Sequence, residues 1–320
     1  MSTLDPQNRR QLGTKSIQRL VWIVLAVLVV SLVLFGGYYY WDRYVHLGDK
    51  SPAELDIEQM EQVVREDPQN VEARVAMAEY YLNQGMYQEA IDQTTQVLDA
   101  YPENDGALLI SGIAHVRLDQ PEAALGSLEK FIELRKDAPM AGADTILEAA
   151  YYFSGESYMK LDRPAEAIVA LEAALAISAT DADAIYQLGQ AYQADDQPEA
   201  ALVRYHQAIR FVPDFTEAYS GMIESYSTLD QSSFVAYARG MEAFCLRDYG
   251  TARTHLENAT EALPDFGPAF LGMGLTYEQL GEPEAALGAI QQALELNPSD
   301  FAAQQALGRI QATMNDDVQG

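Results

Sequence analysis

Residues 183–192 read DAIYQLGQAY, and residues 268–277 read PAFLGMGLTY. Each stretch runs into a polar turn and then into the same five letters, PEAAL, at 198–202 and 283–287. An alanine follows at 208 and 293, and a proline at 213 and 298. Gly189 and Gly274 lie 85 residues apart, two and a half times 34. The two stretches are therefore copies within a repeating array that half a unit interrupts, and such a period signals stacked supersecondary units.

The order of residues, a large residue, then Leu-Gly, Tyr, Ala and Pro, resembles the tetratricopeptide repeat family. The resemblance implies an all-α fold, an α-solenoid of helix hairpins. Placed on that pattern, repeats run 71–104, 105–138, 148–181, 182–215, 233–266 and 267–300. Position 8 is then Ala78, Gly112, Gly155, Gly189, Gly240 and Gly274, and position 20 is alanine in all six. Small side chains there let the two helices of a repeat cross closely. Position 27 (Val97, Phe131, Ala174, Ala208, Ala259, Ala293) is expected to face the next repeat. Tyr81, Tyr158, Tyr192 and Tyr277 at position 11 are expected to add area to a shared core. Proline closes four of the six repeats, at 102, 213, 264 and 298, where it cannot continue the second helix. Each hairpin buries its apolar face only on a neighbour, so no single globular core is expected.

Two places break the period. Residues 139–147 are nine extra residues, expected as a longer link. Residues 216–232 are half a repeat: either an unpaired helix, or a helix that takes the 234–246 segment as partner and shifts the phase. At the ends, 53–67 is expected as a lone second helix, and 301–314 as a capping helix before a short tail at 316–320.

In the family resembled, first helices line a concave groove. The matching positions here are Val75, Leu109, Ile113 and Val116, then Tyr152, Met159 and Tyr186. Phe234, Tyr237, Met241, Phe244, Leu271 and Leu275 complete the series. These residues are large and apolar, and an apolar stripe of that kind marks an interaction surface; mutual packing within a tight solenoid is the alternative. Family members that grip acidic chaperone tails do so with lysine, arginine and asparagine. Val75, Glu79, Leu109, Ile113, Tyr152 and Glu156 stand at those positions here, so an apolar or basic peptide is the expected partner.

Upstream of the repeats, residues 20–41 read LVWIVLAVLVVSLVLFGGYYYW, without a charge. A helix of that length spans about 33 Å, enough for a bilayer core, and its aromatic ends suit the two interfaces. A single transmembrane helix is expected, with a basic tail at 1–19 and a linker at 42–52. Arg9, Arg10, Lys15 and Arg19 precede it against Asp5, whereas Asp42, Arg43, Asp49 and Lys50 nearly cancel after it. The positive-inside rule then puts the N-terminus in the cytoplasm and the repeats outside it, at a bacterial inner membrane or a cell surface.

Composition narrows the chemistry. With 48 acidic against 20 basic residues the net charge is −28, which repels a phosphate backbone and argues against nucleic-acid partners. The apolar share of 48% is enough to fold. One cysteine, Cys245, permits no intrachain disulfide or thiolate cluster; it reads as a small buried hydrophobe. The four histidines follow no ligand or catalytic spacing, so neither a metal, a cofactor nor an enzymatic activity is expected. The function expected is a membrane-anchored scaffold for protein–protein interactions in assembly of a membrane or envelope complex. A chaperone-like holdase at the translocon would use the same apolar groove.

Overall fold

The computed structural model describes residues 6–41 and 52–319. Among them are sixteen α-helices, one 3-10 turn and no strand. The chain divides into two compact units, and the boundary falls between Ala73 and Arg74.

The first unit holds α1 (Pro6–Tyr40) and α2 (Pro52–Glu66). Within α1, Val21–Tyr40 has a mean hydropathy of 2.5 and is long and apolar enough to cross a membrane. None of that stretch is buried, which separates it from the core helix of a soluble domain. The helix is already formed at Pro6, so the backbone of the basic segment continues it rather than forming a separate tail. All of the expected linker but Pro52 lies outside the described residues, as does the last residue of the expected tail.

The second unit is an α-solenoid. After α3 (Val71–Asn83), whose start lies in the first unit, and α4 (Tyr87–Ala100), five hairpins follow. They pair α5 (Asp105–Arg117) with α6 (Pro121–Arg135), α7 (Thr145–Lys160) with α8 (Pro164–Ile177), and α9 (Ala182–Ala194) with α10 (Pro198–Phe211). Beyond α11 (Thr216–Thr228), α12 (Ser232–Cys245) pairs with α13 (Tyr249–Ala262), and α14 (Gly267–Leu280) with α15 (Pro283–Leu296). The last helix, α16 (Phe301–Gln319), runs five residues past the cap expected to end at 314.

Local chemistry sets these boundaries. Four second helices open on proline at their first position, Pro121, Pro164, Pro198 and Pro283, where the missing N–H costs nothing. Asn104 and Asp181 accept from the backbone N–H of Ala107 and Ala184 and so cap α5 and α9. The turn inside each hairpin places one residue in the left-handed region. Glycine fills it at Gly85 and Gly281, aspartate at 119, 162, 196 and 230, and Arg247 in the last case. The short polar side chain of aspartate tolerates that conformation better than most.

Hairpins close through one recurring contact. A carbon added at Gly112, Gly155, Gly240 or Gly274 would lie 2.5–2.6 Å from the side chain of Leu128, Leu171, Leu256 or Ile290. Those partners are fully buried. Stacking then buries position 27 throughout, from Val97 to Ala293. The apolar contacts form separate clusters between neighbours rather than one core, and the largest spans α9 to α14.

The position-11 tyrosines add ring area to the apolar clusters, as expected, but most keep an open tip. Tyr81 is buried, but Tyr158, Tyr192 and Tyr277 are half-buried. Each turns its hydroxyl outward to a glutamate of the preceding second helix: Tyr158 to Glu129 at 2.6 Å, Tyr192 to Glu172 at 2.7 Å, Tyr277 to Glu257 at 3.2 Å. Ring burial and a charge-assisted bond are satisfied together. In α10 the glutamate position is His206, whose Nε2 meets the Tyr226 hydroxyl at 2.8 Å.

The two irregular places are also built from named contacts. Within 139–147 the chain makes the 3-10 turn Ala141–Ala143, and α7 starts at Thr145, three residues before the repeat boundary placed at 148. Asp144 caps it, accepting from the N–H of Ile146 and Leu147. Arg135 bridges Asp144 at 2.8 Å and Asp105 at 2.9 Å, tying α5, α6 and α7. Burial works against the Asp144 carboxylate, but the Leu147 N–H, Arg135 and the Ile146 N–H outweigh it and hold its pKa below the usual range.

At the half-repeat, α12 belongs to two hairpins. The turn before it, with Gln231 N–H donating to the Tyr226 carbonyl, matches the turn after it, with Asp248 N–H donating to Ala243. Only the α12–α13 crossing has the close form, Gly240 on Leu256. At the matching places α11 and α12 carry Ile223 and Val235, too large for close approach.

Burial lowers the pKa of His206 below its ordinary 6.5, so the unfolded chain binds more protons than the folded one once pH falls beneath that value. The stability His206 contributes is complete above pH 6.5 and is lost below it. Wild type should therefore lose more resistance to urea between pH 7.5 and 5.5 than His206→Gln. Parallel curves for the two proteins would refute this.

Candidate functional site

The first helices of successive hairpins touch one another: α5 with α7, α7 with α9, α9 with α11, α12 with α14, and α14 with α16. They make two runs, α5–α7–α9–α11 and α12–α14–α16, which meet at the α11–α12 hairpin, and the apolar positions expected to line a groove lie on these helices and α3. Their side chains are less open than expected. Val116, Tyr237 and Met241 are 2%, 4% and 8% exposed and belong to the core, because neighbouring helices close over them. Val75 packs toward Gly106, and Ile113 is half-buried. Leu109, Tyr152, Phe234, Phe244, Leu271 and Leu275 are half-buried at the edges of the clusters. Phe234 stacks on Tyr226 at 5.1 Å and meets Phe266 edge-on at 5.2 Å. The stripe is largely used in mutual packing, the alternative that the sequence left open. Two of its members, Met159 and Tyr186, line an open cleft.

That cleft, of about 480 Å³, lies between α9 and α11. One wall is Tyr186, Gln190, Gln193 and Ala194 of α9, and the other is Glu217, Ser220, Gly221 and Glu224 of α11. Met159 closes one end and Tyr205 of α10 forms the floor. Tyr205 can reach the floor because two glycines leave room. Its ring lies 2.6 Å from where a Gly189 side chain would start, and a carbon added at Gly221 would press on the same ring from the α11 side. The regular hairpins have leucine or isoleucine at this place.

Hydrogen bonds fix the lining. The Tyr205 hydroxyl donates to Gln193 Oε1 at 2.9 Å, and Ser225 donates to the same oxygen at 3.2 Å. Gln190 Nε2 donates to the Tyr186 hydroxyl at 3.0 Å. Ser220 is held by the carboxylate of Glu242 on α12. Burial, then the charge of Glu217, pushes the Tyr186 pKa up; burial, then Tyr186 and Glu224, does the same to Tyr205. Both tyrosines are thus neutral donors at any ordinary pH. Glu217 and Glu224 make no ion pair among the described residues, and no lysine or arginine lines the cleft.

A second cavity, about 630 Å³, lies among α6, α7 and α8, with Ile132, Tyr151 and Val169 in its wall. Its carboxylates are engaged: Glu133 with Lys136 at 2.7 Å, Glu166 with Arg163 at 2.8 Å, and Glu129 with Tyr158. Cys245 is half-buried, and burial raises its thiol pKa to about 11, which leaves it protonated. No cluster of three or more potential metal ligands occurs among the described residues.

Sequence reasoning missed the α11 wall because the half-repeat was given no groove positions. Counted from Thr216, Glu217, Ser220 and Glu224 fall at positions 2, 5 and 9, the same places that supply the groove elsewhere. Tyr205 was missed because second helices were assigned to the core.

Two tetratricopeptide repeat models match the chain, one over 158–226 and 246–310 and the other over 57–105 and 75–139. The chain belongs to the tetratricopeptide repeat family. The stretches left unmatched between these segments, 140–157 and 227–245, hold much of the link into α7 and the whole of the shared helix α12. Among solved structures, MamA is similar at 26% identity over 54% of this chain and 96% of that one, with a TM-score of 0.48. MamA 41-end from Desulfovibrio magneticus RS-1 matches at 21% identity, 56% and 97% coverage, and a TM-score of 0.50. PilW, a type IV pilus biogenesis factor, matches at 18% identity, 75% and 99% coverage, and a TM-score of 0.42. No curated relative matches the chain by sequence. The family and fold are those of protein-interaction scaffolds.

Gly221→Ala should destabilise the protein by about 1–3 kcal/mol, as overpacking against a buried ring does. In a Tyr205→Leu background the same change should cost little, since leucine is what regular hairpins carry there. Hydrogen exchange of α10 and α11 in the four variants reads the coupling; additive effects would mean that ring and glycine do not meet.

Proposed function

We propose that this protein is a membrane-held scaffold that captures a segment of a partner protein on its first-helix face. The observation that carries this reading is the open cleft between α9 and α11, where unpaired carboxylates and tyrosines stand beside Met159. Elsewhere on that face the large apolar side chains serve the solenoid itself. A partner is therefore taken at a defined place with mixed chemistry, apolar at one end and acidic along one wall.

The anchor in this reading is Val21–Tyr40, whose exposed apolar surface needs a lipid or protein covering. The basic residues before it and the balanced charges after it favour a cytoplasmic N-terminus and an extracytoplasmic solenoid. Holding the solenoid at a membrane raises the local concentration of membrane-bound partners around it. This role fits assembly of a membrane or envelope complex.

Two measurements test the reading. Alkaline phosphatase fused to the C-terminus in a bacterial host should be active and green fluorescent protein dark, with residues 20–41 retained in the mature chain by mass spectrometry. The reverse pattern, or a chain cleaved after α1, would remove the anchor. A photocrosslinking amino acid at Gln190 should trap a small set of partners in native membranes, whereas one at Val169 should not. Adducts from Val169 alone would move binding to the second-helix side, and a long unselective set from Gln190 would favour a holdase.

A further inference from the structure

We propose that the cleft between α9 and α11 is an arginine site: it receives the guanidinium of an arginine that an extended partner segment presents beside an apolar residue. This rests on the reading of the first-helix face as a docking surface and adds the chemistry of the partner.

Charge excludes most other occupants. The lining has two carboxylates, Glu217 and Glu224, and no cation, on a chain that already carries −28. Neither carboxylate is neutralised by an ion pair among the described residues, in contrast to Glu133 and Glu166 of the second cavity. An anionic segment would meet uncompensated repulsion, and a purely apolar one would strip water from both carboxylates without replacing it. A cation gains from both.

Geometry favours arginine over lysine. Glu217 and Glu224 are two helical turns apart on one wall, about 10 Å along α11. Tyr186 stands on the opposite wall, and Tyr205 makes the floor between them. Both carboxylates and both tyrosines line the same cleft. The Tyr205 ring is covered by Gly189 and Gly221, but a planar guanidinium can lie against the half-buried Tyr186 and still direct its N–H fork at a carboxylate, which an ammonium cannot do. Gln190, whose Nε2 is engaged by Tyr186, keeps its amide oxygen to accept from the same group. Met159 at the end of the cleft offers an apolar contact to the neighbouring residue. About 480 Å³ is room for one such side chain and part of the next, not for a folded element.

The site also explains the departure of α11 from the regular repeat. Shared between two hairpins, α12 lets α11 stand beside α9 without a closely crossing second helix of its own, and Gly221 then opens the space that Tyr205 enters.

The test uses the full chain in lipid nanodiscs and a fluorescein-labelled Gly-Gly-Arg-Leu-Gly-Gly peptide, with citrulline and lysine versions, read by anisotropy. The arginine peptide should bind about tenfold more tightly than the citrulline one, with lysine between them. Glu217→Gln with Glu224→Gln, both exposed changes, should weaken it about tenfold without altering the circular dichroism melt. The remote exposed pair Glu261→Gln with Glu295→Gln should leave it within about twofold. Equal binding of the citrulline peptide, no binding of the arginine peptide, or equal loss in both carboxylate pairs would overturn the proposal. Crosslinking at Gln190 separates the two levels. Partners that persist in the Glu217/Glu224 variant would sink the arginine site and leave the docking face standing. Carboxylate-dependent arginine binding with no adduct at Gln190 would do the opposite.

Discussion

A side chain of the second helix pressed onto a glycine of the first sets the spacing on which the rest of the solenoid depends. Where Leu128 meets Gly112, or Leu256 meets Gly240, the two backbones come as close as a missing side chain allows. That approach aligns position 27 with the next hairpin, so alanines from 174 to 293 are buried without any large residue to fill space. It also leaves position 11 at the edge, where a tyrosine ring is covered and its hydroxyl still reaches a glutamate one hairpin back. Each layer of contact follows from the one before, and none needs a long-range closure.

Because the rule is local, sequence carried much of it. The glycine and alanine columns, the prolines that close repeats and the apolar run at Val21–Tyr40 could all be read from the letters, since each acts within one period or one helix. The start of α7 at Thr145 could not, because it depends on Asp144 finding both a helix N-terminus and Arg135. The tyrosine–glutamate ties were equally hidden: they join residues 20 or 29 positions apart whose pairing appears only when hairpins stack. The groove was the poorest reading. The groove positions identify helices that face one way, but openness depends on how close the neighbours come, and Val116, Tyr237 and Met241 are covered.

Departure from the rule is what makes room for binding. Regular crossings leave no space at the surface, since the leucine fills the glycine's place. At the half-repeat α11 has Ile223 where glycine would stand, and α12 has Val235 where alanine would, so these helices pack at a distance set by side chains. A glycine relocated to position 221 and a tyrosine in place of leucine turn the same contact sideways and lay an aromatic floor under an acidic wall. The stretch that fits the repeat pattern worst is thus the one with the most distinctive surface.

The separation of the apolar contacts into clusters between neighbours has a mechanical consequence. Tension applied at the C-terminal end would meet no single core to break. The buried residues of α15 and α16 form a cluster that shares none with the one before it, so those two helices would peel away first, each released residue lengthening the chain by up to about 3.4 Å. The stretch from α9 to α14 is different, because one continuous cluster and the shared helix α12 bind its members together. It would yield as one larger step, which makes the segment bearing the cleft the part of the array that keeps its shape under load.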